Sequence, residues 1–449
     1  MNELTFVYAL AAMIVGLAAF QVVTRRFDPF APTWLFLVGI AQEYVVQAIS
    51  YHDWAIRVRG AELVSEASFR SFWAIGWMLT VYHLGPGRAL SRLLPRPPAG
   101  WSLGVVGLAC PPLFVWGLGC GLLVARGFGG SNDQQSAEAM LMVQFPLLML
   151  VAGIVCVITG RQPGRPRPGL VLVGLGIAAL YMLIWMFIGK RSHSLFAVLT
   201  AVCAYYVPRL KRPSWPALGI TAAAGMLAVG LSIGWRFHAN STKTHGSVSD
   251  FMTFVSNFDP AIIFESINLS DGEKLDRVSY ETEEYGGLLL MMATVPTLSD
   301  YDYGASYLRI FSTFIPRIVW PEKPIFGRDQ WINAWIAGSE LKRDSTFTGP
   351  SIGILGAGQL NGGAWGTFIV LGMVGLVFRT AYEYFRRYQS VPWVQLWWAL
   401  TYYNAWLSTV GDDPLTWFYY NYGFTTLPPL LAFWLANKFV GGGSAPASA

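Results

Sequence analysis

Apolar runs of roughly bilayer length, separated by short charged stretches, set the pattern of this chain. They fall near residues 4–24, 33–50, 69–84, 101–124, 140–159, 170–188, 194–208, 215–235, 350–378, 391–410 and 416–437. A membrane-crossing helix needs about 20 predominantly apolar residues, so the pattern predicts an all-α polytopic membrane protein with about eleven transmembrane helices. Between the eighth and ninth runs lies a polar stretch of 114 residues, 236–349. Connections of that length usually carry function. Inside it, residues 286–299 (GGLLLMMATVPTLS) and 305–320 (ASYLRIFSTFIPRIVW) are apolar but too short or too charged to span. They predict interfacial or re-entrant helices over a cavity. The expected organisation is an N-terminal bundle of about eight spans (1–235), the long loop (236–349), a C-terminal bundle of about three spans (350–440) and a flexible small-residue tail (441–449).

Composition agrees with the pattern. Of 449 residues, 54% are apolar, 15% aromatic and only 13% charged, and the mean hydropathy is +0.43. A soluble chain carries roughly a quarter charged residues. Cys110, Cys120, Cys156 and Cys203 all lie inside apolar runs, which argues against a disulfide framework or a thiolate metal cluster and makes them small core hydrophobes. The +5 net charge is spread over many loops instead of forming one basic face, which excludes a nucleic-acid partner.

Charge also gives sidedness. The first run follows an acidic start, MNELTF, and precedes Arg25 and Arg26, the reverse of a cleaved leader, so it reads as a retained helix with its N-terminus outside. Every second loop is basic: Arg25 and Arg26; Arg88, Arg92 and Arg96; Arg161, Arg165 and Arg167; Arg209, Lys211 and Arg212; Arg379, Arg386 and Arg387; and Lys438 near the C-terminus. These 15 cations face only Asp28 and Glu383, which assigns those loops and the C-terminus to the cytoplasm. Residues 236–349 then lie outside, with 10 cations against 15 acids.

Familiar catalytic signatures are missing. The sequence has no HExxH, CxxC or GxxxxGK[ST]. Gly174, Gly176 and Ala179 match GxGxxA in form, but they sit within an apolar run, where close helix packing is the better account. The five histidines are dispersed. Chemistry on phosphates would therefore fall to arginine and lysine. Lys190 and Arg191 (FIGKRSHS) follow the sixth run at an outer edge, and Arg236 (SIGWRFHAN) ends the eighth in the same way. Such pairs also serve as snorkelling anchors, but charges at membrane depth point to function by default. The densest cluster is FIPRIVWPEKP, residues 314–324, where Arg317 and Lys323 flank Trp320–Pro321. Its prolines forbid a continuous helix and leave a stiff aromatic loop. Guanidinium forks meet phosphate oxygens in bidentate fashion, each charge-assisted bond contributing about 1.5–3 kcal/mol. Converging forks would hold a lipid-linked diphosphate and stabilise its departure.

So arranged, the chain resembles the Wzy-type O-antigen or oligosaccharide repeat-unit polymerases of bacterial surface polysaccharides. The resemblance rests on the many spans, Gly189-Lys190-Arg191, Arg236, the IPRxxWPxKP stretch (Ile315–Pro324) and the glycine-rich lead-in GPSIGILGAGQLNGGAWG. It implies a GT-C-like glycosyltransferase of the bacterial inner membrane with its active site facing the periplasm. Its donor and acceptor would be undecaprenyl-diphosphate-linked oligosaccharides, the glycan passing en bloc to the non-reducing end of the next repeat. The implied mechanism uses no metal or other cofactor, and a chain-length regulator is a possible partner besides the bilayer. On this reading Arg191 and Arg317 act catalytically, while Lys190, Arg236 and Lys323, with Arg309 as a secondary candidate, hold the diphosphate. Leu355, Gly356 and Ala357 stand where the family pattern leads one to expect an acid. The base is therefore open among Glu284, Asp302, His193 and His238, with Asp412 and Asp413 as weaker alternatives. Glu284 and Asp302 also read as ordinary solvated carboxylates. Trp320, Trp331 and Trp335 offer faces for sugar stacking. The rivals are an O-antigen ligase, a transporter or flippase of lipid-linked sugars, and a non-catalytic lipid receptor.

Overall fold

Every regular element among the described residues is helical, as burial in lipid demands of a backbone that must bond within itself. The structure, a computed structural model, describes residues 3–98, 100–126, 144–242, 247–258, 284–308, 320, 352–410 and 414–440. In chain order the first helices are α1 (Thr5–Val23), α2 (Pro32–Ala41), α3 (Gln47–Ser50), α4 (His52–Arg59), α5 (Ala61–Leu84) and α6 (Gly87–Leu90). Then come α7 (Leu103–Ala125), α8 (Pro146–Arg161), α9 (Pro168–Ile188), α10 (Arg191–Tyr206), α11 (Trp215–Thr242) and α12 (Val248–Ser256). The last are α13 (Glu284–Thr294), α14 (Gly353–Arg387), α15 (Pro392–Thr401), α16 (Asn404–Val410) and α17 (Pro414–Val440).

Helix covers most of each apolar run, and the protein is a helical membrane protein by composition and length. Among the described residues, five helices are long and apolar enough to cross a bilayer: α1, α7, α9, α11 as far as Arg236, and α14. Two runs differ from the expected single helix. Residues 33–50 form α2, a π-helical turn over Gln42–Val46, and α3. Residues 391–410 are divided into α15 and α16. A third break lies within α14, where Gly362 and Gly363 leave helical geometry.

The chain folds as two units, each built from separated segments. The first takes Met1–Leu94, Asn268–Tyr384 and Asn404–Tyr419. In it α1 packs on α5 and α2 on α16, while α13 lies against α4, α5 and the π turn. Leu288, Leu289 and Met291 of α13 are fully buried. That helix, from the stretch expected to be interfacial or re-entrant, is therefore an interior element. Of the second such stretch, the described part holds one 3-10 turn, Ala305–Leu308.

The second unit takes Pro95–Ile267, Phe385–Tyr403 and Tyr420–Ala449. Here α8 sits between α7 and α9, and α10 packs on α9 and α11. Small residues set the approach: a Cβ on Gly174 would meet the Gly153 carbonyl oxygen and, at 2.6 Å, Val157 Cγ2. Gly176, two residues on, faces open space. All four cysteines are buried free thiols.

Loops that the charge count puts on one side also meet within each unit. In the first, Arg379 and Arg88 reach Glu383 at 2.6 and 3.5 Å, and the Tyr382 hydroxyl bonds Asp28 at 2.5 Å. In the second, Arg161 donates to the Tyr205 carbonyl at 3.0 Å and lies over its ring.

Candidate functional site

At the opposite end of α9 from Arg161, a helix of 21 residues away or about 30 Å, the second unit gathers its cations. The helix stops because Gly189 turns left-handed, φ +77°. The Gly189 and Lys190 amides then bond back to Met186 O at 3.0 Å and Trp185 O at 2.9 Å, closing the end as a glycine cap does. The turn starts α10 at once, so Lys190 and Arg191 stand at its N-terminus. Glycine is also needed for space, since a Cβ there would lie 3.1 Å from Arg236 Cβ. Arg236, 47 positions after that glycine, thus rests against the Lys190–Arg191 corner. Lys190 and Arg236 are exposed and Arg191 is half-buried. Like charges at a helix N-terminus, itself partly positive, are unfavourable without an anion. A helix N-terminus with cations beside it has the chemistry that attracts an anion.

Aromatic packing holds this corner. The His193 ring stacks on Trp185 at 4.0 Å, with Ser192 Oγ 3.2 Å from its Nδ1. Tyr403 packs on Phe196 at 5.1 Å and lies within electrostatic reach of Arg191. Trp235 donates its indole N–H to Phe187 O at 2.7 Å, and His238 lies over Trp235. The amphipathic α12 covers that layer with Phe251 and Phe254, leaving Val248 and Met252 exposed. Its start is a capping box between Ser247 and Asp250. Hydrogen bonds from Ser247, side chain and backbone, together with nearby His238, hold the Asp250 carboxyl below its ordinary range.

The first unit contains a buried polar cluster of a different kind. Glu43, in the π turn, is 2% exposed, and Glu284, 3% exposed, starts α13, the helix that packs on that turn. Gln47 Nε2 donates to Glu284 Oε2 at 2.9 Å, and its Oε1 accepts from the Tyr285 amide at 3.2 Å. Glu43 Oε1 is 2.5 Å from Thr409 Oγ1 on α16. Gly353 fits against this cluster because a Cβ there would lie 2.5 Å from the Tyr44 hydroxyl and 3.1 Å from Glu284 Cβ. Further along α5, the buried Arg70 bonds Gln359 and, at 2.5 Å, Glu66. Gln359 in turn donates to Val295 O at 2.7 Å.

Beside it a loop docks on the break in α14. The Asp302 amide donates to Leu360 O at 2.8 Å and the Gly304 amide to Asn361 Oδ1 at 2.9 Å. Gly363, φ +63°, lets the Tyr301 hydroxyl approach, 2.8 Å from where a Cβ would be. Asp302 is 5% exposed.

Of the residues singled out from sequence, Lys190, Arg191, Arg236, His193 and His238 come together in the second unit. Glu284 and Asp302 belong to the first, and both are buried instead of lying on a solvated surface. Trp320 is exposed. Arg309, Arg317, Lys323, Trp331, Trp335, Asp412 and Asp413 lie outside the described residues. Sequence reasoning did not single out Glu43, Gln47, Arg70 and Gln359, although an acid within the apolar run LFLVGIAQEYVVQAIS was visible. No family model, curated protein or solved structure matches the chain.

Proposed function

We propose that this protein is a membrane glycosyltransferase that polymerises lipid-linked oligosaccharide repeat units on the outer face of the bacterial inner membrane. It would be a GT-C-like protein of about eleven spans with an outside N-terminus and a cytoplasmic C-terminus. The observation that carries the reading is the packing of Arg236 onto Gly189, which adds a third cation to Lys190 and Arg191 at one helix end. That corner suits a diphosphate: two negative groups would meet guanidinium forks and the positive end of a helix. Charge building on the departing diphosphate would be met there without reorganisation. Arg317 and Lys323, with Arg309 in support, are proposed as further phosphate-binding residues. Glu284, Asp302, His193 and His238 remain the candidates for taking the acceptor proton, and Trp320 for sugar contact.

Reconstitution with purified undecaprenyl-diphosphate-linked repeat unit in EDTA tests this. Wild type should extend chains, and Arg191→Ala and Arg236→Ala should lose extension by at least about 100-fold, the equivalent of one or two charge-assisted bonds. Arg165→Ala, at the other end of α9, should retain it. Extension that requires a divalent ion, or survives both outer substitutions, overturns the reading. Transfer to lipid A core instead of a second repeat would indicate a ligase.

A second reading, a transporter of lipid-linked sugars, has its own support in Glu43, Glu284 and Arg70, buried between apolar helices, and in the helix broken at Gly362–Gly363. Vesicles with labelled lipid-linked oligosaccharide separate the two. Movement between leaflets without chain growth favours transport.

A further inference from the structure

We propose that α12 is an interfacial helix whose uncovered apolar strip lies in the lipid, at the boundary between hydrocarbon and headgroups where α9 and α11 leave the bilayer. The inference goes beyond the glycosyltransferase reading and stands whatever the nearby cations bind.

The surface of α12 divides into three sectors. At about 100° per residue, Phe251 and Phe254 share one, Val248, Met252 and Val255 the next, and Ser249, Asp250, Thr253 and Ser256 the remainder. The phenylalanine sector rests on protein: Phe251 meets the rings of Phe187 and Trp235 at 5.6 and 5.1 Å, and Phe254 meets Trp235 at 5.7 Å. The second sector is just as apolar, yet only Val255 touches that layer, and Val248 and Met252 are 68% and 57% exposed. A helix folded on protein with its other side in water needs apolar residues only where it packs. Here the apolar arc runs on past the packed sector, beside it and not opposite. A helix lying along a membrane surface, with one flank on protein and the adjacent one on lipid, has this division.

Packing also fixes the depth. Phe187 precedes Ile188, the last residue of α9, and Trp235 precedes Arg236, where the apolar part of α11 ends. Both helices are long and apolar enough to cross a bilayer. A helix resting on Phe187 and Trp235 therefore sits where two crossing helices reach the headgroups. Leu183 on α9 and Leu227 on α11, about one and two turns deeper, are exposed apolar side chains, so lipid already meets both helices just below that level. The contact of α12 is apolar in kind, because the helix has no lysine or arginine with which to seek acidic headgroups. Its one carboxylate, Asp250, lies in the polar sector and accepts from the Ser247 amide at 3.1 Å.

Nitroxide labels on the full chain in phosphatidylcholine vesicles test this through collisions with oxygen, which concentrates in hydrocarbon, and with a water-soluble nickel chelate. The native thiols are buried and leave the introduced ones as the labelled sites. The oxygen-to-nickel accessibility ratio at Val248→Cys and Met252→Cys should be several-fold higher than at Ser249→Cys and Thr253→Cys. Replacing part of the lipid by phosphatidylglycerol should leave that contrast unchanged. Met252→Asp, with the label kept at Val248→Cys, should lower the ratio there toward the aqueous value as the charge draws the helix out of the lipid. Water-like ratios at all four positions would make α12 a solvated helix, and shielding of 248 and 252 from both reagents would mean a protein cover such as a second copy. Either result overturns the proposal.

Discussion

At the scale of single residues, the surroundings of a charge decide what it contributes. Asp250 is the simplest case. Its carboxyl is held below the ordinary range by Ser247, so the bond it makes strengthens α12 when ionised. A depressed folded value means that this contribution is complete above the ordinary Asp pKa of about 3.9 and vanishes as pH falls through the lower folded value. Amide exchange over Val248–Ser256 should therefore be flat from neutral to mildly acid pH and rise only in strong acid. Ser247→Ala removes the cap, a loss of about 1 kcal/mol, and should speed exchange of those amides about fivefold at neutral pH. Unchanged exchange would mean that packing alone holds α12. The cations at 190, 191 and 236 were legible because each ends an apolar run with a charge. Glu43 was overlooked since a single acid among eighteen mostly apolar residues hardly alters their average, and only the fold reveals that it meets Thr409, 366 positions later.

At the scale of elements, runs of apolar residues located the helices well, because lipid burial leaves the backbone no other choice. Interruptions inside those runs were not legible. The π turn at Gln42–Val46 has no proline or glycine to announce it, and it arises where Glu43 and Gln47 face polar partners. π turns of this kind often mark functional positions. By sequence both glycines of α9 are packing residues, and the structure separates them. Gly174 touches backbone atoms of Gly153 and Val157, which cannot rotate away, whereas Gly176 touches nothing within 4 Å. Gly174→Val should destabilise the protein by about 1–3 kcal/mol through overpacking, seen as a lower melting temperature in detergent. Gly176→Ala should be neutral or slightly stabilising, since alanine is the better helix former. Equal effects at the two positions would contradict the contact between α8 and α9.

At the scale of the whole molecule, the alternation of basic loops is the property most clearly written in the sequence, and within each unit those loops do meet. Arg88, Arg379 and Glu383 are one such group, and Arg161 with Tyr205 another. Arg165→Cys and Lys211→Cys should accordingly resist a membrane-impermeant thiol reagent applied from outside, whereas Ser249→Cys should react at once. All three positions are exposed, and the native thiols are buried, so the background is low. Labelling of the first two from outside would reverse the sidedness. What the sequence could not supply was assembly from separated segments. Gly353 against Glu284, and Thr409 against Glu43, follow from long-range packing that no local pattern encodes.

Gly363 has an evolutionary corollary. A left-handed φ and a tyrosine hydroxyl crowded against its α-carbon bar every other side chain there, while Gly107, Gly119 and Gly219, which face open space at ordinary φ, are free to drift. As descendants of this sequence diverge, glycine should persist at 363 and wander at those three, a record that selection keeps of where the chain has to bend.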